Sequence, residues 1–337
     1  MDVRFFPEQV ALVDSARQLV ERLGPASVGQ LDDSERAAKL DVAVAQAGWR
    51  ELRTPADGDG APWASAVEVA IVAEALARGR ADTAHLGPTL AADLRRLAGA
   101  PETTGVETVA LSPDLARMAV VGEAAVALDA FGASRALVLA PTARGWRIAS
   151  LEVPGRGHGI DLTRPTASLD ASGAEAVEGG HDLGRDELDR LEALGLAMTS
   201  ADLVGTMSGA LELSVDYAAQ RHQYGRSIGS FQAVQHLLAD AVVHVEGSRS
   251  ISLHAAWAVD ALSPGEAVAA AAKAKAYASR AALEVCEIAI QVHGGIGNTW
   301  ECLAHVHLRR ALLSADIFGG VGANLDRVLA HAGLGGD

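Results

Sequence analysis

Cysteine is nearly absent: 337 residues hold only Cys286 and Cys302. Two thiols cannot build a disulfide framework, both lie in stretches that read as helical, and a reducing compartment is expected. Aromatic residues make up only 4%, which disfavours a sandwich core filled by large rings and favours helices packed closely on small side chains. A genome biased toward Ala, Gly and Arg codons accounts for part of this. Positive charge is also scarce. Lys+Arg 28 against Asp+Glu 43 leaves a net charge of −15 and a pI near 5.1, a surface that repels phosphate backbones and anionic lipid. Nucleic-acid and membrane partners are therefore not expected. No run of about 18 uncharged apolar residues occurs. The opening MDVRFFPEQVALVDSARQLVERLG carries acid from Asp2 onward, with no basic stretch leading into an apolar one, so no leader and a cytoplasmic location are expected.

Several chemistries lack their sequence signatures. There is no G-x-S-x-G elbow for a Ser/His/Asp hydrolase and no G-x-G-x-x-G after a strand for a Rossmann nicotinamide site. The 11 histidines include no HxxxH pair. His305 and His307 follow Cys302, but alternate residues on a helix point about 200° apart, so no metal site is expected.

What is present is length enough for two or three packed subdomains, in three stretches of different character. Residues 1–104 read as an N-terminal helical domain, with stripes through Val10, Val13, Ala16 and Val20 and through Val67, Val69, Val72, Ala73 and Leu76, broken by the loop TPADGDGAPWAS. Residues 105–184 read as a small β domain in which ETVALS, MAVVG, RALVLAP and WRIASLEVP are separated by turn residues. Residues 185–337 return to helix in three long segments. Their stripes run through Leu203, Met207, Leu211 and Val215, then Val234, Leu238, Ala241 and Val245, then Leu283, Cys286, Ile290 and His293. The expected class is mainly α with a small β domain.

Two segments carry chemistry. In RHQYGRSIGSFQAVQH, Arg221 to His236, a helix ends in a basic turn and a new helix starts after Ser230, a residue suited to cap it. Arg221 and Arg226 offer planar donor forks, and Gly225 and Gly229 let backbone approach a ligand, so an anion such as a pyrophosphate fits. A helix-turn-helix with surface arginines would look the same. In QVHGGIGNTWE, Gln291 to Glu301, adjacent glycines after a long helix expose backbone N–H groups able to cradle phosphate; a glycine-rich helix cap would also read this way. The pair, in this order and 70 residues apart, is the specific signal.

With these residues the chain resembles the acyl-CoA dehydrogenase family. The family's R-x-x-[FY]-G-x-x-[IL]-x-x-[FL]-Q-x-x-[QH] stretch is matched by Arg221, Tyr224, Gly225, Ile228, Phe231, Gln232 and Gln235. Its Q-x-x-GG-x-G stretch is matched by Gln291, Gly294, Gly295 and Gly297. The N-terminal helix, AGWRELRTPADGDG and the closing HLRRALLSADIFGG extend the likeness over nearly the whole chain. The resemblance implies an N-terminal helical domain, a shortened middle β-barrel domain and a C-terminal four-helix bundle. It also implies FAD at a subunit interface, with Arg221, Gln223, Tyr224, Gly225, Phe231 and Gln232 in the cofactor-binding set and Gln291, Gly294 and Gly295 reaching it from a neighbouring subunit.

The chain departs from the family where the proton is moved. In the family a glutamate takes the α proton of an acyl thioester while the β hydride goes to the flavin. Its commonest location, in an I-[YF]-E-G turn, reads Ile317-Phe318-Gly319-Gly320 here, and a second location, 26 residues before Arg221, is Gly195. Glu192, Asp202, Glu301 and Asp316 are nearby carboxylates that read as solvated or capping acids. The loops that flank the flavin ring have only LSPD, Leu111 to Asp114, as a counterpart. The combination is similar to the short subunits of α2β2 acyl-CoA dehydrogenases that degrade steroids, which implies a partner subunit carrying the base and a bulky CoA thioester as substrate. A self-sufficient homomeric enzyme with an unrecognised base and a non-catalytic CoA-ester-binding scaffold are the other readings.

Overall fold

A computed structural model describes residues 5–56, 60–155, 157 and 159–334; the middle of the TPADGDG loop, residues 57–59, lies outside them. Four helices come first: α1 (Pro7–Leu23), α2 (Ser34–Gln46), α3 (Ala66–Arg78) and α4 (Leu86–Ala98). Their ends follow local chemistry. Pro7 opens α1, Asp33 accepts the Arg36 N–H at the start of α2, Ser65 accepts the Val67 N–H at the start of α3, and Gly99 closes α4 in the left-handed region at φ 61°.

The β domain is one six-stranded sheet made of β1 (Glu107–Leu111), β2 (Ala124–Ala127), β3 (Arg135–Thr142), β4 (Gly145–Glu152), β5 (Ala167–Asp170) and β6 (Glu175–Ala176). The spatial order is β5-β2-β1-β3-β4-β6. Only β1 and β3 run parallel, with Thr108 opposite Ala136. MAVVG, read as a strand, makes single bridges from Met118 to Leu111 and from Val120 to Leu139 instead. The strand proper is the Ala-rich β2 just beyond, whose small side chains hide it from a pattern search.

Three long helices form the rest of the core: α5 (Arg185–Gln220), α6 (Gln232–Ala261) and α7 (Pro264–His293), followed by α8 (Ala304–Asp316) and α9 (Val321–His331). The core stretch of α5 is buried all round from Ala193 to Ala210, which its small residues permit. A Cβ on Gly205 or Gly209 would lie 2.1 or 2.2 Å from backbone carbonyls of α3, so the two helices touch backbone to backbone. Val215, placed in the α5 core stripe by its spacing, is 45% exposed, while Ser214 and Ala218 carry the buried face there. Asp202, expected as a solvated or capping acid, is buried and bonds Arg310 at 2.6 Å, with Arg164 at 3.4 Å and the Ser314 hydroxyl at 2.6 Å. The two guanidiniums outweigh burial and hold its carboxyl below the usual range. This network ties α5 to α8 and to the β domain. Among the described residues no helix is long and apolar enough to cross a membrane.

Candidate functional site

At its C-terminal end α5 gives way to a hairpin in which β7 (His222–Gln223) pairs with β8 (Arg226–Ser227). Tyr224 and Gly225 at the tip have φ of 53° and 80°, the consecutive left-handed pair of a type I′ turn, so Gly225 is required by the turn itself. The tip thrusts Tyr224 into solvent, 94% exposed, edge-on to Phe231 at 6.3 Å. The Arg226 guanidinium lies 4.2 Å over the Phe231 ring. Arg221, Gln223 and Gln232 are exposed, and among the described residues the Arg221 guanidinium makes no protein hydrogen bond. Gly229 works differently from expectation: a Cβ there would sit 3.0 Å from the Ala218 carbonyl, so its smallness lets the turn pack on α5. Ser230 does not cap α6. A short 3-10 turn intervenes, Ser230 donates to the Ser227 carbonyl at 2.7 Å, and the N-cap position falls on Phe231.

The second segment begins where α7 ends. Gly294 takes φ 66° and ψ −144°, and the chain turns through Gly294–Asn298. A Cβ on Gly294 or Gly295 would meet no protein atom within 4 Å. Gln291, Gly294 and Gly295 are all exposed, so an approaching phosphate would meet bare backbone.

The resemblance implies Gln291, Gly294 and Gly295 reaching the cofactor from a neighbouring subunit; the fold brings the two segments to one end of the bundle within a single chain. Tyr217, on the last turn of α5, stacks on His293, the last residue of α7, with centroids 4.4 Å apart and planes 25° apart. His293 Nδ1 donates to the Ala289 carbonyl at 2.7 Å. Although burial is the largest influence on His293 and opposes its charge, hydrogen bonds to the Cys302 thiol and to Ala289 raise its pKa on balance. Burial likewise works against the Cys302 thiolate, but the His293 hydrogen bond brings that thiol below its usual range. Neither Tyr217 nor His293 was singled out from the sequence for this position. Their adjacency to the two motifs, one turn before Arg221 and immediately before Gly294, is the signal that could have found them.

The other end of α5 holds both glycines that occupy the family's base locations, and here they face protein. A Cβ on Gly195 would lie 2.3 Å from Cε2 of Phe318, so the phenyl ring fills the space over that glycine. A Cβ on Gly319 would lie 3.0 Å from the Arg327 guanidinium. Arg327 is paired with Glu192 at 2.6 Å and donates to the carbonyls of Phe318 at 3.0 Å and Ala116 at 3.2 Å. Phe318 N–H donates to the Leu115 carbonyl at 2.7 Å. Leu115 and Phe318 both have φ of 59°, a left-handed conformation that costs roughly 1–3 kcal/mol per residue and persists only where surroundings enforce it. The LSPD loop thus folds down onto the 317–320 turn. Beneath the turn Lys275 is fully buried, donating to the carbonyls of Ala315 at 2.8 Å and Gly319 at 3.3 Å. Burial pushes its pKa down to about 7. A cavity of about 690 Å³ opens beside Phe318, between the β domain and the start of α5, with Met118, Leu139, Trp146 and Leu188 among its walls and Glu192 at its edge.

Comparison with known proteins gives these arrangements a context. A family model described as acyl-CoA dehydrogenase, C-terminal domain, matches residues 193–333. The chain is 32% identical over 324 residues to acyl-CoA dehydrogenase IpdE2 of Mycobacterium tuberculosis, covering 92% of each protein. It is 35% identical over 172 residues to IpdE2 of Mycolicibacterium smegmatis, a match over 51% of this chain that spans half of that relative's length. Two solved structures share the fold at 24% identity: a Tcur3481-Tcur3483 steroid ACAD variant, with TM-score 0.81 over 97% of this chain and 98% of that one, and the ChsE4-ChsE5 complex from Mycobacterium tuberculosis, with TM-score 0.78 over 99% of each. With one match running nearly end to end through both proteins and another on the helical half that carries Arg221 and Gln291, the chain belongs to the acyl-CoA dehydrogenase family.

Proposed function

We propose that this chain is the non-catalytic partner in a heteromeric, flavin-dependent acyl-CoA dehydrogenase. It lends part of an FAD site to another chain and supplies no base of its own. FAD, when bound, supplies the hydride acceptor for the β carbon of an acyl thioester. Taking the α proton needs a carboxylate within reach of it, and the observation that carries this reading is that Phe318 and Arg327 fill the two places where the family keeps one. Glu192, at the cavity edge, is engaged by Arg327.

The residues at the far end of α5 suit the cofactor. Arg221 has a free guanidinium fork, Gln223, Gln232 and Gln291 add amide groups, and Gly294 and Gly295 leave backbone bare for a diphosphate. Tyr224, Gly225 and Phe231 form the exposed aromatic hairpin beside them. From Gly195 to Arg221 α5 climbs roughly 39 Å at 1.5 Å per residue, farther than one dinucleotide can reach. The ends of this helix therefore belong to two different half-sites, and the flavin served by Arg221 has its ring in another chain. The two-protein assemblies among the structures of this fold, Tcur3481-Tcur3483 and ChsE4-ChsE5, support a heteromeric assembly, and the steroid ACAD supports a steroid-derived thioester as substrate class.

The test is flavin content and native mass of the chain expressed alone and with a full-length acyl-CoA dehydrogenase encoded beside it. A colourless lone chain and a complex holding about one FAD per pair are expected. A lone chain that binds FAD in every protomer and bleaches with an acyl thioester would sink the proposal.

A further inference from the structure

The hairpin at Arg221 and the turn at Gly294 leave different helices, and the Tyr217–His293 stack is the ring contact that joins their roots. His293 is held on more than one side. Its Nδ1 bonds the Ala289 carbonyl at 2.7 Å and Tyr217 covers a face of its ring. The Cys302 sulfur accepts the Ala304 N–H at 3.5 Å. Residues 294–301 therefore form a loop whose root is docked on the last turn of α5. His293 and Cys302 are 6% and 8% exposed, whereas Arg221, Gly294 and Gly295 above them are exposed. A buried brace under exposed donors is what a site needs if it is to meet its ligand already arranged.

We propose that His293 is a positioning residue for dinucleotide binding: through its stack on Tyr217 it sets the Arg221 fork against the bare Gly294–Gly295 backbone so that both reach one diphosphate. This rests on the FAD reading above. His293 touches no ligand itself; it acts by fixing the angle between two helix ends that no covalent link holds together.

The experiment is FAD titration of the deflavinated complex of this chain with its dehydrogenase partner, followed by flavin fluorescence, with thermal melting as the check on folding. Tyr217→Leu and His293→Leu are each expected to weaken FAD binding about two- to tenfold. Tyr217→Phe, which keeps the ring, stays within about twofold of wild type. The double Leu variant loses no more than the weaker-binding single one, because either change removes the same stack. Additive losses, or a loss in Tyr217→Phe as large as in Tyr217→Leu, overturn the inference and leave the FAD reading standing. A wild-type complex that takes up no FAD overturns both. Should Leu at 217 prevent folding, His293→Gln, polar but ringless, serves instead: weakening by the same factor supports the brace, and unchanged affinity refutes it.

Discussion

Both ends of α5 hold glycines close to an arginine, but with opposite surroundings. At the N-terminal end the space beside Gly195 and Gly319 is taken by Phe318 and Arg327, and the polar groups there, Arg327, Glu192 and Lys275, are satisfied within the chain. At the C-terminal end Gly294 and Gly295 face no protein atom and Arg221 is free among the described residues. A glycine whose missing side chain is replaced by the protein's own atoms serves packing. One that faces open space beside an uncommitted guanidinium leaves room for something else to bind. Along one helix, then, glycines are covered by the chain's own side chains towards one end and face open space at the other.

Substitutions can break this contrast, and the largest effect is expected at the closed end. Phe318→Ala should cost about 3–5 kcal/mol of unfolding free energy in urea denaturation, as for any buried ring removed from a core; a cost below about 1 kcal/mol would mean the ring is a movable lid rather than a filler. At the open end Arg221→Ala should leave stability within about 0.5 kcal/mol while weakening FAD binding in the assembled complex roughly ten- to hundredfold, the range for a lost charged hydrogen bond. Equal glycines should then behave unequally. Gly195→Ala should destabilise by about 1–3 kcal/mol, because its methyl group enters the Phe318 ring, whereas Gly295→Ala should be nearly silent in denaturation and appear only in FAD affinity.

The last effect is a slope, one of pH. Lys275 titrates near 7 in the folded chain because it is buried, and near 10.4 when unfolded. Between those values the unfolded chain holds a proton that the native chain does not, so unfolding free energy should rise with pH from about 7, at no more than about 1.4 kcal/mol per unit. Above about 9 the buried Cys286 thiol, pushed up to about 12 by burial, acts in the opposite direction. Lys275→Met should flatten the rise between pH 7 and 9, measured as urea midpoints across that range. A slope unchanged by the substitution would assign it elsewhere.

Much of this architecture is legible from residue order because its signals are local. Helical periods, the Ser65 and Asp33 caps, Pro264 at the start of α7 and the turn residues around β3 and β4 each report on their own neighbourhood. The two exposed segments are legible for the same reason: Arg221 to Gln235 and Gln291 to Gly297 are each a continuous stretch. What residue order hides is what meets across the fold. Nothing near Gly195 announces that Phe318 will cover it, nor does Asp202 carry any mark of the two arginines it will find. Ala-rich β2 escapes because alanine favours helix and is depleted in strands, and Ser230 fails as a cap because a 3-10 turn shifts the helix start by one residue. The glycines at 195 and 319 could be read from the sequence, but not the fact that Phe318 of the 317–320 turn and Arg327 of α9 lie over them.

The length of α5 has a consequence for how this protein can change over generations. Between Gly195 and Arg221 the helix winds through 26 steps of about 100° each, a little more than seven turns. One residue inserted anywhere in that span would swing the Arg221 hairpin by about 100° relative to Phe318 and carry it 1.5 Å onward, unstacking Tyr217 from His293 or dragging α7 along. Point substitutions in α5 away from Gly195, Gly205 and Gly209 can be absorbed by repacking, but insertions and deletions cannot. Its length should therefore drift far more slowly than its sequence, while the connections on either side of the sheet take up and lose residues freely.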